Sequence, residues 1–312
     1  EKDTIQIGRT HGQAAVPVTV GFSLAEYVSR LGNRIKTIKR EANSLKGKIS
    51  GAVGAYNASH LFFDDPEKFE RDVLAKLNLK PGLHSTQIVE PEYMTDFIHS
   101  VVSCFGVLAN FSDDMRHLQR SEIGEVGEHF AEDQVGSSTM PHKRNPINYE
   151  NVKSMWKQFM PRMVTVYQDQ ISEHQRDLTN SASSRFLPEI IVGLLASVNR
   201  LLRVLDKFIV DKENLRENFN EFKEMVTAEP LYILLAAYGH PDAHEAVRKL
   251  TLKAEDQGLT LRELVQEDSS LKPYWEKINN KQKVLLTNPE RYTGIAAKKV
   301  GRVVTHWQKE LD

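Results

Sequence analysis

Cysteine is almost absent from this chain: the 312 residues hold one, Cys104, so no intrachain disulfide can staple the fold and a reducing compartment is expected. That thiol lies in the apolar run Val101-Val102-Ser103-Cys104-Phe105, which reads as an inert buried group rather than a nucleophile. An excess of either charge is absent as well. With 41 lysines and arginines against 42 aspartates and glutamates, the chain has no field to draw nucleic acid or an anionic membrane, and any anion must be held by a local cluster. No apolar run approaches the roughly 20 residues that span a bilayer, and Glu1-Lys2-Asp3-Thr4 lacks the features of a signal peptide. A cytoplasmic protein without membrane or nucleic-acid partners is expected. Repeats, low-complexity tracts and strand-rich segments do not stand out. The chain also begins without methionine, which reads as a piece of a longer protein.

What is present is helical periodicity. With 40% apolar and 27% charged residues, the chain can bury a substantial core. Leu24, Val28, Leu31, Ile35, Ile38, Ala42 and Leu45 recur at steps of three and four, as do Met94, Phe97, Val101, Phe105, Leu108, Phe111, Met115 and Leu118, and again Leu187, Ile190, Leu194, Val198, Leu201 and Leu205. Residues 152–171 predict a fourth helix, kinked at Pro161. Helices of about 30 residues would reach ~45 Å, longer than a compact globule of this size needs, so their seams predict partners in other subunits. Between the first two seams, Gly47, Gly51 and Gly54 read as a turn and packing device, followed by a short helix over 67–77. Shorter helical units after Glu221, punctuated by Gly239-His240-Pro241 and Gly258, predict a small C-terminal helical domain over 227–312. The expected architecture is all-α: a long-helix bundle over 1–226, with a catalytic loop over 134–147, and that smaller domain.

The loop is Gly136-Ser137-Ser138-Thr139-Met140-Pro141-His142-Lys143-Arg144-Asn145-Pro146. Its prolines oppose helix and central strand alike, leaving a segment suited to side-chain chemistry. If a proton is to leave carbon beside a carboxylate, fixed cations and donors must stabilise the developing charge, and Lys143 with Asn145 suit that task. A leaving amine needs a proton from a group that titrates near neutrality, for which His11 is the candidate. Ser137 or Ser138 could serve as base only with the loop amides and Lys143 stabilising an alkoxide. Taken by itself, Glu150 reads first as a solvated first-turn helix residue near a favourable dipole. Arg176, Ser181 and Arg185 form a phosphate-binding candidate if a helix begins near Asn180 or Ser181, the alternative being surface ion pairs. His240 and His244 straddle a proline break without an obvious third ligand, so no metal is expected. His129, His142 and His174 remain unassigned.

Taken with Gly8-Arg9-Thr10-His11-Gly12-Gln13 and Gln175-Arg176-Asp177-Leu178-Thr179-Asn180-Ser181, this loop resembles the fumarase/aspartase superfamily and, within it, the adenylosuccinate lyases. The resemblance is dense over residues 5–210. It implies an all-helical homotetramer whose active sites draw on three subunits, needs no cofactor, and takes a succinyl-purine nucleotide or its precursor as substrate, releasing fumarate. By the same resemblance Ser137 is the base, and His11 is the acid, paired with Glu150. Ser138, Met140, Lys143 and Asn145 contact the succinyl carboxylates as the loop closes. Thr10 and Gln87 touch substrate, and Arg176, Ser181 and Arg185 take the nucleotide phosphate. It also implies a further N-terminal domain with a second active-site histidine, to which nothing in this chain corresponds. Other superfamily members, such as argininosuccinate lyases and carboxymuconate cycloisomerases, share the serine loop but act on phosphate-free substrates. A non-catalytic oligomeric scaffold, as in lens crystallins of this superfamily, is the alternative of a different class.

Overall fold

The computed structural model describes residues 1–129, 140 and 143–311. Two compact units emerge. The first comprises Glu1–Val28, Arg120–Glu125 and Val210–Asp312, the second Ser29–Gln119 and Val126–Ile209. A two-stranded hairpin, β1 (Ile5–Thr10) and β2 (Gln13–Thr19), leads into α1 (Val20–Ser44), and α2 (Pro66–Ala75), α3 (Glu92–Leu118), α4 (Ile147–Phe159), α5 (Arg162–Gln168) and α6 (Leu187–Leu205) follow. The all-α class and the three long helices are as expected, although on α1 Ala25 and Tyr27 are buried, and Val28 of the expected seam is exposed. The hairpin is the departure, since the segment carrying Thr10 and His11 showed no strand signal that stood out.

In the second unit α3 packs against both α4 and α6. Ile98, Val101, Phe105, Leu108 and Met115 of α3, Val152 of α4 and Ile190, Leu194 and Leu201 of α6 are all buried. Helix α3 is long and apolar enough to pass by composition for a membrane span, but most of it is buried inside the protein, as a core helix is. Gly193 lets α6 approach α4 closely: a Cβ there would sit 2.3 Å from the Phe159 ring. The expected kink at Pro161 is a full break between α4 and α5, because proline donates no hydrogen bond to the preceding turn and its ring crowds that turn's carbonyl. Cys104 is buried, and burial raises the thiol's pKa.

Besides the hairpin, the first unit holds α7 (Lys212–Val226), α8 (Ala228–Ala237), α9 (Ala243–Gln257), α10 (Leu261–Glu267), α11 (Lys272–Trp275), α12 (Asn280–Thr287) and α13 (Ala296–Leu311). Local chemistry sets their ends. Asp211 and Asp242 accept first-turn amides of α7 and α9, Thr260 with Glu263 and Asn279 with Gln282 close capping boxes, and Gly258 ends α9 at φ 66°. Leu231, Leu235, Val247, Leu250, Leu264, Val265, Leu271 and Ile278 gather into a core of their own.

Candidate active site

His11 stands at the tip of the hairpin. Thr10 pairs with Gln13 across a two-residue turn in which His11 (φ 55°) and Gly12 (φ 76°) are both left-handed, the conformation that a tight hairpin requires to match strand twist. Glycine takes it freely; the histidine is held there by the strands on either side. Thr10, His11 and Gln13 are exposed, so the turn offers an imidazole and a hydroxyl outward. The stem beneath is fixed by Glu125, which is fully buried. Its carboxylate accepts from Arg9 Nη2 at 2.7 Å, Gln6 Nε2 at 2.8 Å and Asn218 Nδ2 at 3.0 Å, and Ser23 Oγ donates to the Gln6 Oε1 at 2.8 Å. A buried carboxylate requires such pairing, and here the pairing ties β1, the strand that ends at Thr10, to α7.

Ser137, Ser138 and His142 lie outside the described residues. Met140 and Lys143 are exposed and Asn145 is half-buried; Lys143 N–H donates to the Met140 carbonyl at 3.0 Å and Ile147 N–H to the Asn145 carbonyl at 2.9 Å. Glu150 projects, exposed, from the first turn of α4. Beneath that turn lies a second buried carboxylate, Glu128. It accepts from Asn148 N–H at 2.9 Å, Tyr149 N–H at 3.1 Å and Asn148 Nδ2 at 2.5 Å. Gln119 bridges the chain on either side of the loop, accepting from Glu128 N–H at 3.1 Å and donating to the Arg144 carbonyl at 3.3 Å.

The third cluster is arranged differently from expectation. Ser181 and Arg185 do not share an α-helix face: Ser181 sits in a turn, Arg185 in a short 3-10 segment (Ser183–Phe186), and α6 starts only at Leu187. Pro188 explains this, since without an N–H it cannot bond back to the Ser184 carbonyl and extend the α-ladder upstream. The preceding loop is nonetheless well tied. Asp177 accepts from the Thr179 hydroxyl at 2.6 Å and from the Thr179 and Glu173 amides at 2.9 and 3.1 Å, and these bonds, the Thr179 hydroxyl first, hold its carboxyl below the usual range. Ser183 Oγ donates to Asp169 at 2.7 Å. Gln87 N–H donates to the Gln175 carbonyl at 3.2 Å, so the structure does bring the Gln87 segment beside the one carrying Arg176. Arg185 is exposed and Arg176 and Ser181 are half-buried. The two C-terminal histidines pack edge-on against aromatics, His240 on Tyr274 and His244 on Tyr232.

Sequence reasoning missed Glu125 and Glu128. Both stand in Glu125-Val126-Gly127-Glu128, which reads as an ordinary polar connector. The nearest available signal was its position, immediately before the serine loop.

The comparisons with known proteins settle the class first. A family model described as lyase matches residues 1–160, and one described as adenylosuccinate lyase C-terminal matches residues 172–293. The structure of 3-carboxy-cis,cis-muconate lactonizing enzyme from Pseudomonas putida superposes with a TM-score of 0.84 at 24% identity, over 100% of this chain and 68% of its own. Fumarate lyase from Mesorhizobium sp. BNC1 does so at 0.81 and 21%, over 97% and 67%. At such identities the likeness is one of fold, that of an all-helical lyase scaffold. Sequence relatives are more particular. Adenylosuccinate lyases from Archaeoglobus fulgidus and Pyrococcus abyssi are 33% and 35% identical, over 99% and 97% of this chain and 69% and 67% of their own lengths. The one from Methanothermobacter thermautotrophicus is 35% identical over 99% and 69%. The chain belongs to the adenylosuccinate lyase family, and is an enzyme of the lyase class.

Proposed function

We propose that this protein eliminates fumarate from adenylosuccinate, giving AMP, and from the succinyl-aminoimidazole-carboxamide ribotide, giving AICAR, in cytoplasmic purine synthesis. Ser137 takes the proton from the succinyl carbon next to a carboxylate; the electron pair forms the fumarate double bond as the carbon–nitrogen bond breaks; His11, paired with Glu150, returns a proton to the departing nitrogen. Lys143 and Asn145 stabilise the negative charge that builds on the carboxylate, Ser138 and Met140 flank it, Thr10 and Gln87 contact substrate, and Arg176, Ser181 and Arg185 bind the phosphate. Acid–base elimination of this kind calls for no cofactor. The single observation carrying the reading is the exposed His11 on a left-handed turn whose strand is anchored through Arg9 to a buried carboxylate, in a chain matched along nearly its whole length by adenylosuccinate lyases.

The sites are proposed to be shared in a homotetramer. Helix α6 supports this: Ile190, Leu194, Leu201 and Val204 are buried, yet Val192, Leu195, Leu202 and Leu205 leave a second apolar row exposed, the kind of stripe that a neighbouring helix covers. The test follows fumarate release by the full-length protein from adenylosuccinate and from argininosuccinate, beside Ser137→Ala and Arg185→Ala. Activity is expected on the first substrate only. The serine change should abolish it, and loss of the arginine should chiefly raise KM. Turnover of the phosphate-free substrate, or undiminished activity after Ser137→Ala, would refute the assignment.

A further inference from the structure

Helix α4 starts without a capping side chain of its own: its N-cap is Pro146, which offers no side-chain oxygen. The orphan amides of the first turn must find an acceptor elsewhere. They find Glu128, twenty residues upstream of Asn148, whose carboxylate reaches the second and third amides of the helix, those that a capping side chain would ordinarily serve. The charge is 4% exposed and faces the positive end of the helix dipole, where an anion is favoured. Asn148 is turned toward it by Arg200 of α6, whose Nη1 donates to Asn148 Oδ1 at 2.7 Å. Glu128, Asn148, Arg200 and Arg203 share the lining of a cavity of about 180 Å³. Gln119 completes the frame by holding both Glu128 N–H and the carbonyl of Arg144, the residue between Lys143 and Asn145.

We propose that Glu128 is a positioning residue for catalysis: by capping α4 from outside the helix, it fixes the backbone from which Lys143 and Asn145 address the substrate carboxylate. This rests on the reaction proposed above. A local capping residue would hold the helix just as well but would not bind it to the chain on the far side of the serine loop. Glu128 and Gln119 together do both, so a small shift in either is passed to the two residues that must meet charge only as it develops. A displacement of about 1 Å at such a group costs on the order of a hundredfold in rate.

Glu128→Gln keeps the volume but removes the charge facing the helix dipole and, with its oxygen toward the Asn148 and Tyr149 amides, sets an amide nitrogen against the donor Asn148 Nδ2. Its kcat for fumarate release is expected to fall about thirty- to hundredfold with KM changed less than about threefold, the pattern of an interaction made only in the transition state. In a Lys143→Ala background the same substitution should cost less than about threefold further, because its effect passes through that lysine. Gln119→Ala, which frees the Glu128 N–H and the Arg144 carbonyl but leaves no charge uncompensated, should show a smaller loss of the same kind. Amide hydrogen exchange should quicken over residues 143–151 in Glu128→Gln and stay unchanged over α3. An equal loss in both backgrounds, wild-type kcat, or unaltered exchange over 143–151 would overturn the proposal. If the wild-type enzyme releases no fumarate from adenylosuccinate, the proposed reaction fails, and the exchange measurement still judges Glu128 by itself.

Discussion

Glu125 and Glu128 are three residues apart in sequence and both buried, yet they are satisfied in opposite ways. Glu125 is held in the first unit by side chains alone, Arg9, Gln6 and Asn218, with a full positive charge among them. Glu128 is held in the second by two helix amides and one carboxamide, with no direct cationic partner among the described residues. The first arrangement is an ion pair whose members leave each other stranded when separated; the second spreads the compensation over the neutral donors of a helix terminus. Each is tied to a segment that carries a candidate catalytic group: Glu125 to Arg9, two residues before His11, and Glu128 through Gln119 to Arg144, between Lys143 and Asn145. A buried carboxylate is thus satisfied twice, by different physics.

The largest break in this comparison should come from Arg9→Met. Removing the guanidinium leaves Glu125 charged and buried, and chemical denaturation should show a loss of about 3–5 kcal/mol, partly restored by adding Glu125→Gln. Glu128→Ala should cost less, about 1–2 kcal/mol by the same measurement, because it removes the buried charge itself and leaves only neutral donors without their acceptor. If the two losses come out equal, the distinction between charge pairing and amide capping falls.

A third carboxylate sets the lower bound. Asp113 on α3 is a quarter exposed and accepts from Lys153 of α4 at 2.6 Å and from Arg116 at 2.7 Å. Partial burial works to raise its pKa, but the hydrogen bonds and charges of Lys153 and Arg116 outweigh it and hold the carboxyl below its ordinary 3.8. A carboxyl depressed in the folded state contributes stability that is present above its unfolded pKa and lost as pH falls through the folded value. Asp113→Asn should therefore destabilise by less than about 1 kcal/mol near neutrality. The gap from wild type should narrow in melting experiments as pH is lowered from about 5 to about 3.

Much of the frame was legible beforehand because one repeating cause produced it. The seams of α1, α3 and α6 follow from apolar residues three and four apart, and the C-terminal helices from caps such as Thr260 with Glu263 and the stop at Gly258. The hairpin escaped notice although Ile5 with Ile7 and Val16 with Val18 alternate around His11-Gly12; Pro17 inside β2 argued against a strand, and only a two-stranded ribbon, with its free edge, accommodates it. The α6 seam begins at Leu187 as its periodicity predicts, but the helix start near Asn180 or Ser181 that would put Ser181 and Arg185 on one face is not formed, because Pro188 keeps the α-ladder from extending upstream. Nothing local marks Glu125 or Glu128 as buried, since an acid in a polar connector is ordinarily solvated.

The order of residues alone determined the helical class, the motifs and hence the family, because periodicity and functional side chains are written locally in the chain. Only tertiary structure decided which carboxylates lie buried beneath those motifs and what satisfies them. Burial and pairing are properties of neighbours brought together across 116 residues for Arg9 and Glu125 and 20 for Glu128 and Asn148, and no local pattern records them.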